Sequence, residues 1–380
     1  MSRAGVLTAL FSARKERLLA DLEALVVRES PSDDAARVSA LALWIAERLS
    51  HAGLAAGCVP CEGRGDAVRL RFGEESGGTL LLGHLDTVWP AGALAEIPFA
   101  VEGGLARGPG VYDMKAGIAV AIAVLEAVAK GDVVPEGGVS LVLTPDEEVG
   151  SGASSGLLVE EALRRGRVLV LEPSGDGGAA KVARKGTGLA RVRFRGIASH
   201  AGLEPEKGAS ALLEMSRFAI YADALADKPA GTSVVPTVAA SGRVTNVVPE
   251  RAELTVDFRV WTQAEAARVM GGLRAYRPAD PRVSVEMDGG TNRPPMESTE
   301  ASMDLYRRAA SLARSLGFDV PAARVGGGSD GNLTAAAGVP TLDGLGPSGG
   351  GAHARSEHLL VEDLARRAAL VAGLLEGASA

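Results

Sequence analysis

Residues 116–173 read AGIAVAIAVLEAVAKGDVVPEGGVSLVLTPDEEVGSGASSGLLVEEALRRGRVLVLEP. Ala116 to Leu125 is an unbroken apolar run whose helical pattern continues to Val128, whereas Val139 to Leu143 is short and closed by Pro145. Length separates such runs: a buried helix is ten residues or more, a buried strand about four to eight. Ser154 to Arg164 returns to helical spacing, and Val168 to Leu171 is a second short apolar run. Strand and helix in alternation predict an α/β fold with both faces of a sheet covered. The run from Ala116 is about half a bilayer span and meets Glu126, so it reads as a buried helix and not a membrane anchor.

Upstream, helical periodicity covers Leu7 to Val27 and Ala35 to Leu49, followed by strands at Ala67 to Phe72 and Thr79 to Leu82. Downstream the order changes. From Gly188 to Val285, two strand-like runs flank a helix at Ala209 to Leu225; Glu253 to Val260, a helix Gln263 to Arg274 and Arg282 to Val285 follow. This is the pattern of a separate α+β insert. After the turn-rich Asn292-Arg293-Pro294-Pro295, helix and strand patterns resume from Ser302. The expected organisation is a domain formed by residues 1–180 and 292–380, interrupted by an insert over 181–291. A chain of 380 residues suits two cores better than one.

The formal charge of −7 without a dense Lys/Arg stripe disfavours a nucleic-acid partner. The first residues place Arg14, Lys15, Glu16 and Arg17 inside a helical pattern with no cleavage signature, so a cytoplasmic protein is expected. Cys58 and Cys61 form a C-x-x-C pair lacking the second ligand pair of a structural zinc site; they read as structural thiols or a redox pair.

Three of the five histidines, His84, His200 and His353, lie beside carboxylates or glycines where strands or loops end. In Leu81-Leu82-Gly83-His84-Leu85-Asp86-Thr87 a strand delivers His84 and Asp86 to one face, so Asp86 can orient a ligating imidazole. The same His-x-Asp fits a buried, hydrogen-bonded histidine. Gly108-Pro109-Gly110-Val111-Tyr112-Asp113 is a turn entering the apolar helix, where Asp113 is either an N-cap or a short carboxylate able to bridge two ions about 3.5–4 Å apart. Pro145-Asp146-Glu147-Glu148 clusters acids where the chain leaves a strand, which suits a base beside a ligand, or a solvated acidic turn. Leu171-Glu172-Pro173 brings another acid to the carboxyl edge of the sheet, where α/β folds place their ligands. Gly349-Gly350-Gly351-Ala352-His353 offers a histidine on a flexible loop. Two zinc ions would be balanced by ionised Asp113, Glu148 and Glu172 with one hydroxide.

These five segments in this order resemble the aminoacylase and carboxypeptidase family of co-catalytic zinc peptidases, most closely its glutamate carboxypeptidase branch. The resemblance implies an α/β catalytic domain with a central mixed sheet flanked by helices, interrupted by a smaller α+β dimerisation domain, and a homodimer. It implies two Zn²⁺ per subunit, replaceable by Co²⁺ or Mn²⁺: His84 and Glu172 on one, Glu148 and His353 on the other, Asp113 bridging. Glu147 would be the general base, with Asp86 supporting His84. Ala198-Ser199-His200-Ala201-Gly202, Arg243 to Pro249 and Asp257-Phe258-Arg259 match the family's insert. They imply that His200 stabilises an oxyanion in the partner's site, that Arg259 grips a substrate α-carboxylate, that Asn246 also binds substrate, and that Arg293, helped by Lys185, meets a glutamate side chain. The implied substrate is a peptide or N-acyl amino acid; aminoacylase or dipeptidase action is the alternative. Gly108-Pro109-Gly110 replaces the frequent Gly-Arg-Gly turn.

Two G-x-S-x-G stretches, Gly152 to Gly156 and Gly346 to Gly350, raise a serine hydrolase, but neither has the strand-to-helix context such a nucleophile needs. A non-enzymatic binding protein would be expected to lack the base or a ligand; here each position is filled.

Overall fold

The computed structural model describes residues 2–377. They fall into two compact units: one of residues up to Ala183, Ser298–Val325 and Ser329 onward, the other of Arg184–Glu297 with Gly326–Gly328. These divisions lie a few residues beyond those expected at 181 and 292. The strand Ser284–Arg293 extends into the turn-rich break, and Met296 still pairs with Arg184 through both backbone groups.

The first unit is built on a six-stranded mixed sheet in the order Ala56–Val59, Ala67–Phe72, Gly138–Thr144, Gly78–His84, Val168–Val170, Thr341–Leu342. Gly78–His84 runs parallel to both of its neighbours, so all three strands end at one edge. Each is buried on both faces, which is why their sequences are continuously apolar instead of alternating. Leu81, Leu141 and Leu143 pack with the helix Ala116–Ala129, and Leu80, Leu82 and Val142 with Leu158 and Ala162 of the helix Ser155–Arg165. Gly117 permits close helix-to-strand approach, since a Cβ there would lie 2.0 Å from the Leu171 carbonyl oxygen. The single helix expected from Leu7 to Val27 is two, Arg3–Ser12 and Lys15–Val26. The amide of Arg14 bonds back only three residues, to Phe11, and the break leaves Leu7, Phe11, Leu18, Leu22 and Leu25 all buried.

The second unit is a four-stranded antiparallel sheet in the order Ser233–Ser241, Arg251–Val260, Gly186–Arg195, Ser284–Arg293. Alternate residues Ala190, Val192, Phe194, Leu254, Val256 and Phe258 turn inward to meet Phe218 and Val269 of the helices Ala211–Asp223 and Gln263–Ala275. No helix among the described residues is long and apolar enough to cross a membrane.

Candidate active site

The site lies where the three parallel strands end. His84 is the last residue of the central strand, Glu147 and Glu148 follow the strand on one side through Pro145, and Glu172 follows the strand on the other. Sheet order alone therefore brings imidazole and carboxylates together. His84 Nε2 lies 3.4 Å from Asp113 Oδ1 and 3.4 Å from Glu172 Oε1. His353 Nε2 lies 3.4 Å from Asp113 Oδ2 and 3.2 Å from Glu148 Oε1. Two triads thus share Asp113, one oxygen given to each. Within each triad the ligand atoms lie within 4.8 Å of one another. An ion about 2.0–2.2 Å from each nitrogen and oxygen spans such a gap, and a shared carboxylate is what a two-ion centre requires, so the donor set fits two zinc ions.

The imidazole of His84 is set by its other nitrogen. Nδ1 lies 2.9 Å from the backbone carbonyl of Asp86, which can only accept; Nδ1 therefore carries the hydrogen and Nε2 faces the acids. The Asp86 carboxylate is the more distant neighbour, at 3.4 Å. Its closer partners are the amides of Glu147 at 3.1 Å and Glu148 at 3.2 Å and the hydroxyl of Ser32 at 2.7 Å. Asp86 thus holds the acidic turn as well as facing the histidine. That turn is a single 3₁₀ turn, Glu147–Val149, and not a strand end. The third acid, Asp146, is turned away: it is buried and accepts from the Ala153 amide at 2.8 Å and the Ser154 hydroxyl at 2.5 Å. Commitment to these two donors takes Asp146 out of the expected cluster of three.

Asp113 is not an N-cap. It sits in a wide turn, Val111–Lys115, ahead of the helix, and the peptide bond that follows it is cis. Gly110 enters the turn at φ 69°, where a Cβ would lie 2.6 Å from Thr87 Cγ2. The turn is held from outside by Glu357, which accepts the amides of Gly110, Tyr112 and Asp113 and the indole of Trp89. Neither Glu357 nor Ser32 has a sequence signal: their partners are main-chain amides and a carboxylate distant in the chain.

Burial opposes charge on the His84 imidazole, but Asp113, Asp86 and Glu172 together lift it well above its ordinary range. Asp113 and Glu148 push His353 up to about 10. Burial would raise the Asp113 carboxyl, yet the two imidazoles hold it far below the usual carboxylate range. Burial, then the charge of Asp113, pushes the Tyr112 phenol up to about 12. These shifts describe a metal-free cluster in which protons stand where cations would.

Five expected residues lie in the second unit. Arg259 forms a bidentate pair with Asp257, at 2.9 and 3.1 Å. Arg293 is buried at the end of its strand, opposite Thr187. Asn246 is exposed, and its carbonyl accepts the Ala201 amide at 2.9 Å. His200 is exposed, with Nδ1 accepting the amides of Gly202 and Leu203 at 3.1 and 3.2 Å, so its Nε2 carries the hydrogen. Lys185 donates to the Gly231 carbonyl at 2.5 Å. The serines of the two G-x-S-x-G stretches are committed to carboxylates, Ser154 to Asp146 and Ser348 to Asp363. Both cysteines are free thiols whose titration is pushed up by burial, which suits structural roles.

A family model described as peptidase family M20/M25/M40 matches residues 80–377. Carboxypeptidase G2 of a Pseudomonas species is 31% identical over 98% of this chain and 92% of its own. A succinyl-diaminopimelate desuccinylase of Alkalilimnicola ehrlichii is 29% identical over 80% of this chain and 85% of its own. Among solved structures, aminopeptidase PepT of Bacillus cereus superposes with a TM-score of 0.79 at 22% identity, covering 95% of this chain and 98% of that one. The YXEP protein of Bacillus subtilis, described as a dinuclear metal binding peptidase, superposes with a TM-score of 0.70 at 16% identity, covering 96% and 98%.

Proposed function

The chain belongs to peptidase family M20/M25/M40, and on that premise we propose that it is a two-zinc hydrolase that releases a carboxyl-terminal amino acid, by preference glutamate, from a peptide or N-acyl amino acid. The observation carrying this reading is the pair of triads that share Asp113. His84, Asp113 and Glu172 would hold one ion and Asp113, Glu148 and His353 the other. Bound there, the ions supply Lewis-acid polarisation of a carbonyl and acidify water.

The chain's own part centres on Glu147. Its neighbour Glu148 is a ligand, and its amide is fixed by Asp86, so a base is presented beside the ion pair on a short rigid turn. Glu147 takes a proton from the attacking water and returns it to the departing amine, one carboxylate serving both transfers. The preference for glutamate rests on Arg259, Asn246 and Arg293, with Lys185 as helper, as carboxylate-binding residues of the insert. It is supported by the similarity to a protein named carboxypeptidase G2. The desuccinylase relatives favour a second reading of the same chemistry, deacylation of an N-acyl amino acid; a dipeptidase is the related variant.

A homodimer is part of the proposal. In the second unit the edge strand exposes three successive apolar residues, Val238, Ala239 and Ala240, on both of its faces, and the helix Ala211–Asp223 exposes Leu213 and Ile220. Such an exposed apolar edge is a ready template for pairing with another chain. His200, with Nε2–H outward, is proposed to donate to the developing oxyanion in the partner's active site.

The test is zinc-loaded Glu147→Ala assayed against peptidyl and N-acyl glutamates, other N-acyl amino acids and dipeptides. The variant should keep its zinc and lose roughly 100- to 10,000-fold in kcat. Near-normal turnover would reject the mechanism, and the best substrate of the unaltered chain decides between the two readings.

A further inference from the structure

We propose that Glu357 is a positioning residue that couples the two loops of the second triad, clamping the turn that carries Asp113 to the loop that carries His353. The inference rests on the two-metal reading and concerns how the chain preassembles that site.

Glu357 is 1% exposed and, among the described residues, no cationic side chain is hydrogen-bonded to it. Its carboxylate is instead filled by four N–H donors: Oε1 accepts the amides of Tyr112 at 2.9 Å and Asp113 at 3.0 Å, and Oε2 accepts the amide of Gly110 at 3.0 Å and the Trp89 indole at 2.7 Å. Three of the four belong to the segment that carries the shared ligand, Gly110 leading into the turn. Strand register explains how so distant a residue arrives there. His358–Leu360 pairs antiparallel with Leu105–Arg107, His358 opposite Arg107, so Glu357 meets the chain as it leaves that strand into Gly108-Pro109-Gly110.

The same residue closes the histidine loop. Gly349–Gly350 pairs with Leu359 and His358, and the intervening segment is held by the Ala354 amide on the Gly351 carbonyl and the Glu357 amide on the Ala354 carbonyl, both 2.9 Å. His353 lies inside this hairpin in a left-handed conformation, φ 62°. One end of the loop thus grips the neighbouring ligand's backbone while its middle offers the imidazole. A carboxylate is the group for this task. Two oxygens without hydrogens can accept all four donors, whereas an amide would turn a donor toward one pair of them.

The test is titration of metal-free protein with Co²⁺ and Zn²⁺, followed by calorimetry and cobalt absorbance, for the unaltered chain, Glu357→Gln and His353→Ala. His353→Ala deletes one triad and so identifies its binding step. In Glu357→Gln that step should weaken roughly 10- to 100-fold, as supporting partners of metal ligands do, and the other step by less. An unaltered chain that fails to take up two ions overturns the metal reading itself. Two steps in the unaltered chain with the same constants in Glu357→Gln overturn the clamp alone. Equal weakening of both steps with a lowered unfolding midpoint of the metal-free protein would mark general support, and likewise overturns it. Should the glutamine chain not fold, Glu357→Asp, which keeps the charge but withdraws both oxygens, is read by the same titration, and unchanged constants there have the same consequence.

Discussion

Replacing Asp86 by asparagine tests whether one buried side chain organises the turn bearing the base. Asp86 is 0% exposed and accepts from the amides of Glu147 and Glu148 and from the Ser32 hydroxyl. Asparagine keeps the shape but has a single acceptor oxygen. With that oxygen in the place of Oδ1 it serves the Glu147 amide and points its own NH₂ at the Glu148 amide and Ser32. The hydroxyl can rotate and accept; the amide cannot. Reversed, it is the Glu147 amide that is opposed. Either way one partly buried N–H loses its partner, a cost of about 1–3 kcal/mol, and the surviving bond falls from a charge-assisted ~1.5–3 kcal/mol to ~0.5–1.5 kcal/mol. The metal-free protein should therefore lose about 2–4 kcal/mol, read by urea unfolding. Because the displaced turn also carries Glu148, and His84 loses a facing carboxylate, zinc affinity should fall roughly 10- to 100-fold. Stability within about 0.5 kcal/mol of the unaltered chain, the range of a neutral surface change, together with unaltered zinc affinity, would refute the reasoning.

Zinc uptake should release protons, because His84 and His353 are both held protonated above neutrality by their carboxylates and a ligand must shed that proton. Lower pH favours the protonated form, so affinity for the ion on His353 should climb about tenfold per pH unit from pH 7 toward its value of about 10. Calorimetry at pH 7 in buffers of different ionisation heat should show at least two protons released per pair of ions; fewer than one contradicts it. Arg259→Lys keeps a charge beside Asp257 but loses the planar fork, and kcat/KM should fall roughly 10- to 100-fold if that fork takes up a substrate carboxylate, the equivalent of a charge-assisted bond; unchanged kinetics remove Arg259 from the site. Ile220 is 75% exposed and Val238 is 64% exposed, so the pair Ile220→Asp and Val238→Asp should convert a dimer to monomer by light scattering without lowering the unfolding midpoint. Mixing inactive Glu147→Ala and His200→Ala chains under verified subunit exchange should restore activity if His200 acts across the interface; no recovery would confine it to its own subunit.

What the sequence discloses follows from how each side chain is placed. His84, Glu148 and Glu172 lie at or just beyond the ends of short apolar strands, so recognising the strands and their parallel order is nearly enough to bring them together. Asp113 is a different case, since glycines and a proline announce a turn but not its direction, and the residue alone also fits an N-cap. Asp146 shows the limit of reading charge: three adjacent acids look alike until tertiary contacts commit one of them to the Ala153 amide and the Ser154 hydroxyl. Asp86 and Glu357 act through main-chain amides, which every residue but proline possesses, so little in their neighbours' identities betrays the pairing. The electrostatics join these observations. Without metal, three ligand carboxylates face two imidazoles that keep their protons, leaving one negative charge in the cluster. Two divalent ions on neutral imidazoles would leave one positive charge before water or substrate is counted. The protons thus act as placeholders that let like-charged acids converge in the metal-free chain, where divalent ions would supply the positive charge in their stead.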